Sequence, residues 1–151
     1  MQTADHATDS AETIQRELIE EFELFDDWTD RYQYLIDLGR KLPEFPDAWR
    51  TEEHRLHGCQ SQVWIHHERR GPLLHFDAIS DSAIVSGLIA LLLRVYSDRR
   101  PEEILATQPE FVSAIGLDSH LSPTRKNGLH AMLGAIRGTA RDALASESGA
   151  R

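Results

Sequence analysis

A single cysteine, Cys59, stands in the segment His57-Gly58-Cys59-Gln60-Ser61-Gln62 and is the residue of this 151-residue chain best suited to covalent chemistry. The thiolate is the nucleophile, and a free thiol with a pKa of about 8.5 is only a few per cent ionised at neutral pH. Positive potential that lowered this value to about 7 would raise the reactive fraction to about half. His54, Arg55, His57 and a nearby helix N-terminus are the candidate sources. Gly58 removes the side chain beside the thiol, so another polypeptide can approach and the loop can move. Unpaired cysteine is commonly a buried, inert packing residue. The polar neighbours Gln60, Ser61 and Gln62, the adjacent glycine and the loop position bring the reactive reading level with that one.

Composition narrows the chemistry. One cysteine excludes a disulfide within the chain and any site built from several of its own thiolates, and a lone thiol suits a reducing compartment. Sixteen Lys and Arg against twenty-five Asp and Glu give a formal charge of −9. Such a field repels phosphate backbones, which argues against nucleic-acid binding, and steers the chain towards a partner with a basic patch. The opening Met1-Gln-Thr-Ala-Asp-His has neither a basic start nor an apolar stretch, so no secretory signal is read there. The longest apolar run, Leu88 to Leu93, is too short to span a bilayer. A cytoplasmic protein with no membrane contact is expected. His54, His57, His66, His67 and His75 invite a metal reading, but on a strand His66 and His67 point to opposite faces and cannot chelate together. No metal site is expected, and Trp28, Trp49 and Trp64 are expected to pack in the core or at its rim.

The elements that must position Cys59 follow from periodicity. Ile14, Leu18, Phe22 and Phe25 recur at helical spacing, as do Tyr32, Leu35, Ile36 and Gly39. Asp26 or Asp27 between them can cap the second helix. Pro43 and Pro46 end it and open an irregular stretch to about residue 56. Val63 and Ile65 alternate with Trp64 and His66, and Leu74, Phe76 and Ala78 with His75 and Asp77, around Gly71-Pro72. That pattern predicts two antiparallel strands. Ile84 to Tyr96, apolar on nearly every side, predicts a buried central helix. Pro101 and Pro109 each open a short helix, and Ser122-Pro123 a long last one with Leu129, Met132, Leu133, Ile136, Ala140 and Leu144 in one stripe. Helices, a small antiparallel sheet, then helices again make an α+β fold, one domain over 11–145, with polar tails at 1–10 and 146–151 expected to fray.

Gly58-Cys59-Gln60-Ser61-Gln62-Val63-Trp64 resembles the signature of the SufE/CsdE sulfur-acceptor proteins. The segment from Trp28 to Gly39 is similar to that family's helix before the cysteine. Ser80 to Ala90 resembles its central helix with the entry loop, and His120 to Leu129 the start of its last helix, so the likeness spans about residues 20–144 in order. The resemblance implies a SufE/IscU-like α+β fold, with Cys59 as the acceptor that takes persulfide sulfur from a pyridoxal-phosphate cysteine desulfurase of the SufS/CsdA kind. It implies that docking stimulates the desulfurase, that the pyridoxal phosphate stays on that partner and this chain holds no cofactor, and that sulfur passes on to an iron–sulfur cluster-scaffold complex. Asp81 and Arg125 match family positions around the cysteine loop. For Asp81 the preferred reading is a cap on the central helix, and for Arg125 a surface or helix-start ion pair. The family often has Gly-Asp-Ser-Asp where this chain has Ala78-Ile79-Ser80-Asp81, which bears on local loop shape. His57, Gly58, Gln60, Ser61, Gln62, Asp81 and Arg125 are thus loop and docking candidates, with no catalytic assignment for His57.

Two other classes stand beside the carrier: a regulatory module that binds a desulfurase without carrying sulfur, and a self-sufficient thiol hydrolase. The hydrolase needs a histidine base oriented by a third group, and no such local arrangement is legible.

Overall fold

Ser10 starts the first helix, its Oγ accepting a hydrogen bond from the Thr13 amide at 3.1 Å. Helix α1 (Ala11–Glu23) then buries Ile14, Leu18 and Phe22 along one face. Asp27, not Asp26, caps α2 (Trp28–Arg40) through the Asp30 amide at 2.9 Å. The structure, a computed structural model, describes residues 9–58 and 60–149, the last two by backbone alone. Residues 1–8, 59, 150 and 151 lie outside the described residues, and with them most of the expected N-terminal tail and the end of the C-terminal one.

Strands β1 (Val63–Arg70) and β2 (Leu73–Ser80) form one antiparallel hairpin in the register Val63 to Ser80 through Arg70 to Leu73. Gly71, at φ 60°, takes the positive dihedral that a two-residue hairpin turn requires. The strand alternation puts Val63, Ile65, Leu74, Phe76 and Ala78 on the inner face and Trp64, His66, His75 and Asp77 on the outer one. The outer edge of β2 is covered by the turn after the next helix. The Leu74 amide donates to the Arg99 carbonyl at 2.8 Å and the Asp98 amide to the Leu74 carbonyl at 2.7 Å. His75 fastens the same turn, with Nδ1 2.7 Å from Asp98 Oδ1 and Nε2 3.3 Å from Asp77 Oδ2.

Helix α3 (Ala83–Tyr96) is the spine: Leu88, Ile89, Leu91, Leu92, Val95 and Tyr96 are all essentially without solvent exposure. It packs on α1, α2, β2 and the last helix. Ser82 begins it, accepting from the Val85 amide at 3.3 Å. The expectation that Asp81 caps this helix is corrected: the cap is one residue later, and the Asp81 carboxylate is spent elsewhere. Short helices α4 (Pro101–Ala106), α5 (Glu110–Ile115) and α6 (Leu117–His120) follow. Arg137 donates to the Thr107 and Leu105 carbonyls at 3.0 and 2.9 Å, closing the C-terminal end of α4 from the last helix. That helix, α7 (Pro123–Gly149), carries Leu129, Met132, Ile136 and Ala140 into the core. Residues 146–149, expected in the frayed tail, form its last turn, where Glu147 pairs with Arg69 of β1. The architecture is α+β, with a two-stranded sheet and α7 enclosing α3.

Helices α2 and α3 meet backbone to backbone. A Cβ on Gly87 would lie 2.3 Å from the Leu35 carbonyl oxygen, and one on Gly39 would lie 2.7 Å from the Gly87 nitrogen. Since the obstruction is main chain, no side chain can swing aside. Gly87→Ala is therefore expected to cost about 2–3 kcal/mol by overpacking, read as a lower urea midpoint at unchanged m-value.

Candidate functional site

The loop 57–62 leaves and re-enters the sheet at one point. The Leu56 amide donates to the Val63 carbonyl at 2.8 Å, and Arg55 pairs with Trp64 as an isolated antiparallel bridge. On the other side of its base the Gln62 amide donates to Asp81 Oδ1 at 3.1 Å, and the Asp81 amide returns a bond to the Gln62 carbonyl at 3.2 Å. This reciprocal clamp ties the end of the loop to the segment entering α3. It is the use to which Asp81 is put in place of capping. Ser80 reinforces the corner, its Oγ accepting from the Ser82 amide at 3.1 Å and its carbonyl from Ser86 Oγ at 3.3 Å.

Cys59 itself lies outside the described residues, and its neighbours on both sides are described. Gly58 sits at φ 97°, a left-handed conformation that costs a residue with a Cβ roughly 1–2 kcal/mol. A Cβ there would meet only Ala131 of α7, at 3.8 Å, so backbone conformation and not crowding makes glycine fit this position. Beyond the cysteine, Gln60 and Ser61 line a crevice with Val85, Thr124, Arg125 and Gly128. Its volume of about 20 Å³ is room for one water-sized group. Val85 belongs to the first turn of α3, and Thr124 and Arg125 to the first turn of α7. Ser122 caps α7 through the Arg125 amide at 3.2 Å. Two helix N-termini, each a partial positive charge, thus abut the same loop, and Arg125, a residue that carries a full one, lines the same crevice.

The expected ion pair of Arg125 does not form among the described residues, and Arg125 is one of the residues lining the crevice. Of the other cationic candidates, His57 is engaged by Glu52, Nε2 to Oε2 at 2.9 Å, on the solvent side. His54 Nδ1 lies 3.2 Å from Thr51 Oγ1, and its ring tilts towards His66 at 5.1 Å. His66 and His67 do face opposite sides of β1: His66 stacks on Trp49 at 3.5 Å, and His67 approaches Phe76 at 6.2 Å. Among the described residues no three His, Cys, Asp or Glu side chains are grouped to hold a metal ion. All three tryptophans are half-buried and sit at the rim, Trp28 stacked on His120 at 4.0 Å and Trp64 under the Arg50 guanidinium at 5.7 Å.

The sequence reading missed Glu52, Val85, Thr124, Gly128 and Ala131 as loop neighbours. For the residues of α3 and α7 no local signal exists, because they reach the loop only through the tertiary packing. A cleft of about 670 Å³ between β1 and α7 is lined by His67, Arg69, Asp142 and Glu147, among others, and by no described residue of the cysteine loop. Its mixed charges are partly spent in the Arg69–Glu147 pair.

Comparison with known proteins agrees with this geometry. Residues 16–140 match the family model described as "SufE: Fe-S metabolism associated domain". The chain is 41% identical over 133 residues to an uncharacterised SufE-like protein of Rhizobium meliloti (strain 1021), covering 85% of this chain and 95% of that one. It is 42% identical over 130 residues to another from Rhizobium etli, covering 83% and 88%. The solution structure of a hypothetical protein from Thermus thermophilus superposes with a TM-score of 0.72 at 25% identity, over 87% of this chain and 96% of that one. Among the described residues no helix is long and apolar enough to cross a membrane.

If the Asp81 clamp holds the loop base, Asp81→Ala frees the Gln62 amide. Its hydrogen exchange is expected to accelerate about tenfold, equivalent to ~1.4 kcal/mol, while the Leu88 and Leu92 amides in α3 keep their protection.

Proposed function

We propose that this chain, which belongs to the SufE family, accepts a sulfur atom on Cys59 from the persulfide of a pyridoxal-phosphate cysteine desulfurase and passes it on for iron–sulfur cluster assembly. The observation that carries this reading is the setting of the loop. Gly58 and Gln60 flank the thiol on a segment pinned at both ends to the sheet, beside the N-termini of α3 and α7 and the Arg125 side chain. Positive ends of helices and a guanidinium favour the thiolate over the thiol, which is the form that attacks sulfur.

The step is a thiol exchange. The Cys59 thiolate attacks the outer sulfur of the donor persulfide, a new S–S bond forms on Cys59, and the donor's own S–S bond breaks. The electron pair of the broken bond leaves on the donor cysteine, which is restored as a thiolate. One sulfur changes hands, and no external oxidant or reductant is consumed. Transfer onward repeats the exchange with the next acceptor thiol. Nothing in this step asks for a general base, which accords with a loop whose nearest histidine, His57, is held by Glu52 on its exposed side. The pyridoxal phosphate is the desulfurase's, and this chain's contribution is an ionised sulfur presented on a fixed base. Docking in this geometry brings the donor loop to the α3–α7 end of the molecule, and stimulation of the desulfurase follows from removal of its persulfide product.

Incubation with an active cognate desulfurase and cysteine is expected to add the mass of one sulfur to the peptide containing Cys59. Cys59→Ser is expected to lose both the added sulfur and the stimulation. Full stimulation by that variant would make the chain a non-carrying regulatory module, and an unchanged wild-type mass would reject sulfur transfer.

A further inference from the structure

We propose that His66 is a positioning residue for the cysteine loop: its stack on Trp49 holds the 43–56 strap against the sheet, and protonation of its ring releases the strap. The significance for sulfur transfer rests on the function proposed above; the latch itself rests on geometry alone. The strap follows α2 from Pro43, crosses the outer face of the hairpin through two short 3-10 turns, Asp47–Trp49 and Glu52–His54, and runs into His57-Gly58-Cys59. Phe45 is buried and meets Trp49 edge-on at 5.6 Å. Trp49 lies flat on His66, ring planes 6° apart and centroids 3.5 Å apart. Arg50 covers Trp64, and the last ties before the loop are the Arg55–Trp64 bridge and the Leu56–Val63 bond. His66 is therefore the point on β1 over which the strap's only tryptophan closes.

His66 Nδ1 is buried without a hydrogen-bond partner among the described residues. A ring protonated on both nitrogens would direct a donor at this atom with no acceptor to meet it, a costly arrangement. The groups facing the ring are His54 from the strap, Glu68 on its own strand and Asp77 opposite on β2, with His67 acting more weakly from the other face of β1. Burial, and after it His54, hold the ring's pKa below the ordinary histidine value, outweighing the pull of Glu68 and Asp77 in the other direction. The sign follows. With the strap closed the ring resists protonation, and with it open the ring titrates near the unperturbed value of about 6.5. Closure is therefore at full strength above about pH 6.5 and weakens as the pH falls through that value towards the lower pKa of the closed form. Between about pH 7.5 and about pH 5.5 the opening equilibrium can rise by about tenfold at most.

Amide hydrogen exchange on the isolated protein tests this without any desulfurase, so failure of sulfur transfer would leave its result standing. Protection factors, corrected for intrinsic pH dependence, are read at Leu56, bonded to Val63, and Trp49, bonded to Pro46, with Leu92 of α3 as reference. In the wild type, Leu56 and Trp49 are expected to lose protection severalfold on acidification while Leu92 does not. His66→Phe keeps an aromatic face for Trp49 but cannot titrate, and its strap protection is expected to be flat with pH. His66→Gln serves the same purpose should the phenylalanine variant fold poorly. Wild-type protection that ignores pH overturns the proposal. So does the same pH dependence in the variants, which would assign it to His54 or another group. Parallel loss at Leu92 also overturns it, since acid would then loosen the whole molecule and not the strap.

Discussion

Hydrogen bonds from main-chain amides close both sides of the base of the 57–62 loop, one of them to the Asp81 carboxylate. Leu56 bonds Val63 across the neck, and Gln62 exchanges two bonds with Asp81. These contacts convert a segment with no regular structure into one whose ends move only with the sheet. A loop that presents a reactive side chain must give up freedom at its ends while keeping it at its tip, or each encounter with a partner repeats an ordering cost. The bonds at the neck supply the first half of that requirement. Gly58, at φ 97° and without a side chain, leaves the approach beside it uncrowded.

The neck depends in turn on α3. Asp81 reaches Gln62 because Ser82 has already taken the helix cap, which frees the preceding carboxylate to face the loop. The helix stays in register because Gly87 and Gly39 let α2 lie directly on it. Its buried stripe then holds the inner face of the hairpin and the Met132–Ile136 face of α7. Both helix N-termini at the crevice are consequences of this packing: α3 and α7 approach the loop with the same polarity because each begins at the sheet's loop end. A single large substitution at the α2–α3 contact would therefore act on the loop through the spine, without touching any residue beside Cys59.

Much of this was legible from residue types. Strong periodicity places α1, α2, α3 and α7, the Gly71-Pro72 break places the hairpin, and Pro101 and Pro109 place two of the three short helices between α3 and α7. The family likeness, carried by Gly58 to Trp64 and three further blocks, holds over residues 16–140. What the residues alone did not disclose is which of several equivalent groups is used. Ser80, Asp81 and Ser82 are all good caps, and local spacing cannot choose among them; the choice falls to Ser82 because Asp81 has a tertiary donor in Gln62. Arg125 was read as an ion-pair partner, but its position in the first turn of α7 puts it in one crevice with Gln60 and Ser61, residues more than sixty apart from it in sequence. The Trp49–His66 stack is long-range in the same way and has no periodic signal, since the strap is irregular.

The electrostatics give the arrangement its chemical sense. A chain with a formal charge of −9 repels anions on average, and an average field of that sign opposes ionisation of a thiol. A thiolate at neutral pH therefore needs local positive potential strong enough to overrule the whole. Coulomb energy falls with distance and is screened within about 10 Å at moderate salt, so near sources dominate far ones. Two helix N-termini and Arg125 sit beside the loop, while Glu52, the carboxylate that engages the loop's His57, is mostly exposed on the solvent side. Exposure weakens the carboxylate's influence, and the enclosed crevice strengthens that of the helix ends. Thiol exchange asks for little more than this: an ionised sulfur, an open approach and a fixed base. The sulfur transfer proposed for the loop accordingly calls for no triad, metal cage or large pocket.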